Sequence, residues 1–316
     1  MSQESFRSLI LVNASARNGQ ALKLWNKIRG DARKKIPGLT VEFIFSSGDN
    51  IENKVKNIIH DHNINCIISA GGDGSLNYLI NLLIKSGLVP LEKVFVGGIG
   101  LGSSNDFIKP IVNKINQVPV RLQFEKVNKH DVGVLHFRSI RGNVDTRYFL
   151  LNASVGVTAE ANFLFNDGDL FLRHLKKYFI NSAIFYAVIK TIMTYKNFYA
   201  SLLYNGKQKQ LDISNLSVIK NHYISGGLHY DQYITADCGY FGLNYCFDMS
   251  SLELIKTLID LNSGRFSGKA KRDTCKIKNL KIITEKDIAI ETDGEVQKGN
   301  EIQFSILPKA INILGL

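Results

Sequence analysis

The residues best placed to do chemistry form an acid held between glycines, Gly71-Gly72-Asp73-Gly74-Ser75. Bare glycines let a backbone approach a ligand closely, and a helix that starts there offers free N–H groups to a phosphate. The familiar phosphate-loop patterns do not apply. There is no Gly-Lys-Ser/Thr, and Gly72-Asp73-Gly74 runs on as Ser75-Leu76-Asn77, so G-x-G-x-x-G fails at its last position. Asp73 would face a polyphosphate directly, which is unfavourable unless a metal intervenes or the acid bonds to a hydroxyl. An ordinary strand-to-helix turn with Asp near the N-cap is the other reading, and the stretch alone leaves both open. A second acidic cluster, Asp293-Gly294-Glu295, lies between two strand-like runs. By itself Asp-Gly there signals a hairpin.

The elements that must position these residues follow from periodicity. Cys66 to Ala70 is a short apolar run of the kind that forms a buried parallel strand, and Leu76, Leu79, Ile80, Leu82 and Leu83 recur at helical spacing. The pattern repeats along the first part of the chain. Residues 7–13 read as a strand ending at Asn13, then a polar turn (14–19) and a helix through Leu22, Trp25 and Ile28. Residues 40–45 alternate like a strand, Ser46 to Asp49 turn, and Ile51, Val55, Ile58 and Ile59 mark a helix. Residues 94–99 form a fourth strand leading into Gly100 to Asp106, with a short helix cut by Pro110. Four strand–helix units in a row predict a parallel sheet with right-handed crossovers. Its turns gather on one edge, where open α/β sheets bind ligands.

From about residue 130 the texture changes to closely spaced alternating strands, which predicts a mainly antiparallel second domain, a sandwich. The expected division is 1–127 for an α/β domain and 128–307 for a β-rich one, with about 308–316 returning to the first. Residues 169–196 read as one long helix carrying Arg173, Lys176, Lys177, Asn181 and Lys190. It is too often broken by polar residues to span a bilayer. It suits a helix covering the β domain, or a basic and aromatic surface that meets a membrane. Net charge is +11 over 316 residues. A basic surface serves nucleic acid, an anionic membrane or an anionic ligand, and no nucleic-acid-binding signature accompanies it. The four cysteines lie far apart and form no C-x-x-C, which argues against a zinc site or disulfide framework and for a reducing cytoplasm. The N-terminal residues do not read as a signal peptide.

Taken in order, these motifs make the chain resemble the diacylglycerol kinase-type soluble lipid kinases, whose superfamily includes sphingosine kinases and, more distantly, NAD kinases and phosphofructokinases. The family's G-G-D-G-T stands here as Gly71 to Ser75, its N-P-x-A-x-x-G as Asn13 to Gly19, and its G-T-x-N-D-F as Gly102 to Phe107. Its D-x-G matches Asp131-Val132-Gly133, its N-x-x-S-x-G-x-x-A-E matches Asn152 to Glu160, and its D-G-E matches Asp293 to Glu295. A G-G-G-M segment is similar to Ser225 to Leu228. Ser75 and Ser103 replace threonines and keep the hydroxyl, and Ala14 replaces a proline.

The resemblance implies an ATP-dependent kinase acting with Mg²⁺ on a lipid hydroxyl, diacylglycerol being the acceptor type. The nucleotide would be held by Asn13, Ser15, Arg17, Asn18, Gly19, Ser46, Gly71, Gly72, Asp73, Gly74, Ser75, Asn77, Gly102, Ser103, Asn105 and Asp106. Asp73 would act through the ATP-bound Mg²⁺. Glu295 would be the general base, with Asp293 the nearby alternative, and Glu295 would have to meet Asp73 across a cleft. In some members paired aspartates hold a structural magnesium. Here that stretch is Asp237-Cys238-Gly239-Tyr240-Phe241, and a thiol is a poor magnesium ligand, which argues against a site built on Asp237. The expected partner is an anionic membrane surface, met by Arg173, Lys176, Lys177, Lys269, Lys271 and Arg272, with room for a homodimer. The location is cytoplasmic and peripheral to the membrane, and no nucleic acid is involved. Two other readings stay open: a kinase of a soluble acceptor such as NAD or a sugar, and a non-catalytic nucleotide-binding regulator.

Overall fold

The computed structural model describes residues 6–46, 48, 50–87, 89–166, 172, 175 and 180–316, with backbone alone at 180 and 181. The chain divides into two compact units, Met1–His130 with Lys309–Leu316, and Asp131–Pro308.

The first unit begins with β1 (Arg7–Asn13), α1 (Ala21–Lys35), β2 (Leu39–Phe45), α2 (Glu52–Asp61), β3 (Cys66–Gly71), α3 (Asp73–Ser86) and β4 (Phe95–Gly100). A 3₁₀ turn at Asp106–Ile108 follows, then β5 (Asn113–Ile115), β6 (Val118–Arg121) and the start of β7 (Gln123–Arg138). β1 lies between β2 and β3, and β4 flanks β3, every one of these pairs being parallel. Parallel strands expose neither face, which is why all six residues of β3 and all six of β4 are buried. All four strands end on the same side, at Asn13, Phe45, Gly71 and Gly100. The Ala14 N–H donates to the Phe45 carbonyl at 2.8 Å and ties the first two ends together.

The helices cover this sheet with their apolar stripes. Trp25 and Ile28 of α1 join Ile10, Val12 and Ile68 in one core. Each such side chain contributes roughly 1.5–3 kcal/mol on burial. The Trp25 indole N–H donates to Glu42 Oε1 at 3.1 Å, while Arg29 and Arg33 both reach Glu42 Oε2 at 2.8 Å, so α1 is pinned to β2 by one carboxylate. At the far edge, Asn312 and Ile313 run parallel to Phe95 and Val96 of β4.

The second unit holds the rest of β7, then β8 (Val144–Phe149), β9 (Asn152–Gly156), α4 (Val157–Asn166), α5 (Ile180–Thr194), β10 (Phe198–Tyr204), β11 (Lys207–Ile219), β12 (Tyr223–Ile224) and β13 (Leu228–His229). It continues through β14 (Phe241–Phe247), α6 (Ser251–Asn262), β15 (Arg272–Ile277), β16 (Leu280–Thr292) and β17 (Glu295–Gly315), whose last residues belong to the first unit. The path β15-β14-β11-β10-β16-β17 is antiparallel throughout, and β9 pairs with both β11 and β16. Phe149, Phe241 and Phe304 pack ring on ring at its centre.

Two expectations change here. Val157–Asn166 is helical although nothing before it reads as an N-cap. The cap comes from far away, the Thr158 N–H donating to Asn215 Oδ1 at 2.9 Å after Gly156 turns the chain at φ +97°. The helix expected over 169–196 is seen as α5, and Arg173, Lys176 and Lys177 lie outside the described residues. Among the described residues no helix is long and apolar enough to cross a membrane.

Gly133 of the D-x-G motif has a packing reason. A Cβ built there would stand 2.3 Å from the edge of the Phe149 ring. Gly133→Ala should destabilise the protein by about 1–3 kcal/mol through overpacking, read as a lowered Tm by calorimetry.

Candidate functional site

In the first unit the ends of β1, β3 and β4 are knitted into a cradle by short polar contacts. Asn13 Nδ2 donates to Ser75 Oγ at 2.9 Å, and Asn13 Oδ1 accepts the Ser15 N–H at 3.0 Å. The Asp73 carboxylate spans from the start of α3 to the next loop. Its Oδ2 accepts the Asp106 N–H at 3.0 Å and its Oδ1 the Phe107 N–H at 3.1 Å. Asn105, in the left-handed region at φ 53°, closes the intervening turn by accepting from Gly102 N–H and donating to Gly102 O, both at 3.0 Å. The Leu101 and Gly102 N–H groups donate to Gly71 O at 2.9 and 3.1 Å.

This closeness needs glycine. A Cβ on Gly102 would lie 2.3 Å from Gly72 Cα, and one on Gly71 would strike the Ser75 hydroxyl at the same distance. Two backbones touch where β3 and β4 end, and no side chain stands between them. Across the cradle, Arg17, Asn18 and Gly19 take positive φ in succession, and all three are exposed. Ser46 and Ser103 are also exposed, at the ends of β2 and β4.

Two other residues assigned to nucleotide contact have side chains turned into the protein. Asn77 is buried on α3, where its backbone and side-chain oxygens accept from Asn81 Nδ2 at 2.9 and 3.1 Å. Asp106 is buried in an ion pair with Lys109 at 2.7 Å. Sequence reasoning missed Arg121. It is 8 % exposed, bonds to Leu314 O at 2.7 Å and Phe107 O at 3.0 Å, and lies over the Phe107 ring. Burial lowers its pKa to about 10. Its only sequence signal is one cation in an otherwise apolar strand.

In the second unit the Asp293-Gly294-Glu295 turn separates its acids by role. Asp293 is buried, at φ 47°, and accepts three backbone N–H groups: Leu150 at 2.8 Å, Leu151 at 3.0 Å and Asn152 at 2.9 Å. Glu291, also buried, accepts from Ser154 Oγ at 2.8 Å and from Gly294 N–H at 2.5 Å. Both acids anchor the turn. Glu295 is exposed, yet the surrounding protein raises its carboxyl above the ordinary range by desolvation, with the Arg147 guanidinium opposing that rise. Arg147 pairs with Asp145 at 2.9 Å and keeps a buried Nε with no hydrogen-bond partner among the described residues. Asn166 Nδ2, at the end of α4, donates to Gly294 O at 3.3 Å.

Asp237 is the doubtful candidate for a structural metal. It is exposed, and among the described residues no three His, Cys, Asp or Glu side chains gather to hold an ion. Of the proposed surface cations, Lys271 bonds to Asp248 O at 2.6 Å and pairs with Glu253 at 2.9 Å, while Arg272 is nearly buried against Asp260 at 2.9 Å. Lys269 remains exposed.

Removing the Asp73 carboxylate should release the loop it holds. In Asp73→Ala the amides of Asp106 and Phe107 should exchange with solvent faster by about one to two orders of magnitude, the effect of losing charge-assisted bonds worth ~1.5–3 kcal/mol each. Hydrogen exchange read at those two amides checks this, and amides of β1 should not change.

Against known proteins, residues 7–135 match the diacylglycerol kinase catalytic domain, and residues 152–315 match the YegS C-terminal NAD kinase beta sandwich-like domain. A protein of Staphylococcus epidermidis named "Putative lipid kinase" is 22% identical over 280 residues, covering 87% of this chain and 85% of its own. The crystal structure of "a putative diacylglycerol kinase" from Bacillus anthracis is similar with a TM-score of 0.69 at 18% identity, over 98% of this chain and 97% of that one. Yeast NADH kinase complexed with NADH is similar in fold at a TM-score of 0.50 and 7% identity, over 98% of this chain and 84% of the other. With both of its parts matched in order over nearly its whole length, the chain belongs to the diacylglycerol kinase-type lipid kinase family.

Proposed function

We propose that the chain transfers the γ-phosphoryl group of ATP to the hydroxyl of a lipid, with a diacylglycerol-like acceptor. The observation that carries this is the cradle at the ends of β1, β3 and β4, where bare backbone at Gly72 and Gly102 is held open by Asn13, Asp73, Ser75 and Asn105. Phosphoryl transfer asks a protein chiefly for positioning and for neutralisation of charge. Backbone at Gly71 to Gly74 and at the Asn13–Gly19 turn would hold the phosphates, with Ser46 and Ser103 as exposed hydroxyls beside them and Arg17 as an exposed cation. Mg²⁺ carried by the nucleotide would neutralise the transferring group, and Asp73 is the acid that would face it.

Glu295 would take the proton of the acceptor hydroxyl as its oxygen bonds to phosphorus and ADP leaves. A base works best with a pKa near the working pH, and the desolvated Glu295 carboxyl is shifted in that direction. Asp293, held by three amides, is left to shape the turn. The second unit also carries an open pocket of about 530 Å³ at α4 and α5, where Phe163, Leu164 and Tyr195 stand beside the charged Glu160, Lys190 and Lys196, a lining that would suit an acceptor with both apolar and polar parts. α4 reaches the base through the Asn166 bond to Gly294. The net charge of +11 suits work at an anionic membrane surface in the cytoplasm, where each nearby cation contributes about 1 kcal/mol.

Labelled Mg²⁺-ATP with vesicles containing diacylglycerol should yield labelled lipid, while NAD in place of the vesicles should yield none. Label on NAD, or no acceptor labelled while ATP still binds, would overturn the proposal. Glu295→Gln should lower turnover by roughly 10²–10⁴-fold and leave nucleotide affinity unchanged.

A pH profile supplies a further test. The base must be deprotonated, so a raised pKa means that activity falls on acidification at a higher pH than an ordinary carboxylate would give. Arg147 lowers the Glu295 pKa, so Arg147→Met should move that acid limb to still higher pH. An acid limb that does not move in this variant separates Glu295 from the step.

A further inference from the structure

Lys220, just beyond β11, is a fully buried lysine used by none of the chemistry above. Its side chain and that of Asp131 are both 0% exposed, and they pair at 2.6 Å. Lys220 Nζ also donates to Tyr240 O at 3.1 Å and Thr235 O at 3.3 Å, and meets Cys238 Sγ at 3.5 Å. The Asp131 carboxylate in turn accepts the Gly239 N–H at 2.7 Å, and Asp131 N–H donates to Ala236 O at 2.8 Å. The loop from Thr235 to Tyr240 is thus wrapped around one positive charge. A carboxylate and two carbonyl oxygens converging on a point are the donor set of a hard divalent cation. Here the point is filled by an ammonium, whose three donors match the three oxygens. The remaining neighbour, Cys238, supplies a thiol where magnesium would need oxygen. The paired-aspartate metal site implied by the resemblance does not fit these residues, since Asp237 points to solvent and the centre is occupied by Nζ.

We infer that Lys220 is the built-in structural cation of this loop, replacing a divalent ion, so that the second unit holds its Thr235–Tyr240 loop without metal. The inference does not depend on the proposed phosphoryl transfer, and its readout is stability. The Tm of the full chain should be the same in Mg²⁺ and in EDTA. Lys220→Met leaves the Asp131 carboxylate buried without the cation it pairs with, and should lower Tm by on the order of 10 °C or abolish folding. Asp131→Asn combined with Lys220→Met removes both charges and should recover most of that loss. Lys220→Ala combined with Cys238→Asp vacates the centre and restores a second carboxylate, and its Tm should rise on adding Mg²⁺ or Ca²⁺. A wild-type Tm that falls in EDTA would overturn the inference. So would a Lys220→Met protein as stable as wild type, an Asp131→Asn/Lys220→Met protein no more stable than Lys220→Met, or a Lys220→Ala/Cys238→Asp protein indifferent to divalent ions.

Discussion

The carboxylate of Asp73 joins the two loops on which the first unit's site depends. It starts at the head of α3 and ends on the amides of Asp106 and Phe107, so the exit of β3 and the exit of β4 cannot move independently. The clamp works only because Gly72 and Gly102 let the two backbones touch. An acid beside a phosphate-binding turn is unfavourable if it is free. An acid whose two oxygens each accept a backbone N–H has part of its charge already balanced by fixed dipoles, and its remaining lone pairs can still face a metal-bound phosphate. Under the proposed function, structural and chemical roles would fall on the same group, which would account for an Asp rather than a neutral residue in this turn.

The second unit repeats the device with a different outcome. Asp293 gathers the amides of Leu150, Leu151 and Asn152, and Glu291 holds Ser154 and the Gly294 N–H. Those bonds fix a turn in which Asp293 and Gly294 both have positive φ, so the next residue emerges at a set angle. Glu295 is that residue. Of three acids within five positions, two are consumed in holding the third. If Glu295 is the base proposed above, fixing its backbone in this way would remove freedom in advance, the usual source of efficiency in a preorganised site.

This division of labour marks where the sequence stops being legible. Elements with a local signature are plain in it: the apolar run Cys66–Ala70, the helical spacing from Leu76 to Leu83, and the glycine exits of β3 and β4. Pairings that depend on residues far apart are not. Nothing near Val157 announces a helix, because its cap is Asn215. The family motif names Glu295 as the base with Asp293 as the alternative, and the fold of residues 150–152 onto Asp293 is what the sequence does not announce. Asp106 and Asn77 read as polar groups beside a ligand, but each is drawn into the protein by a partner within one helical turn, Lys109 and Asn81. Arg272 is likewise withdrawn, by the distant Asp260, while Lys271 pairs with Glu253 at the surface.

Charge balance explains why one departure from the family pattern, Cys238, does not signal decay. Two carboxylates around a divalent ion sum to zero. One carboxylate and one ammonium also sum to zero. A buried site tolerates either arrangement, and neither half of one can be mixed with half of the other, since an unpaired charge without water is strongly destabilising. Asp131 and Lys220 thus form a matched pair, and with Lys220 at the centre no second acid is needed at position 238. A thiol in that place leaves the loop held by the Lys220 Nζ bonds to Asp131, Thr235 O and Tyr240 O. On the inference above, what the exchange changes is the response of this loop to chelation.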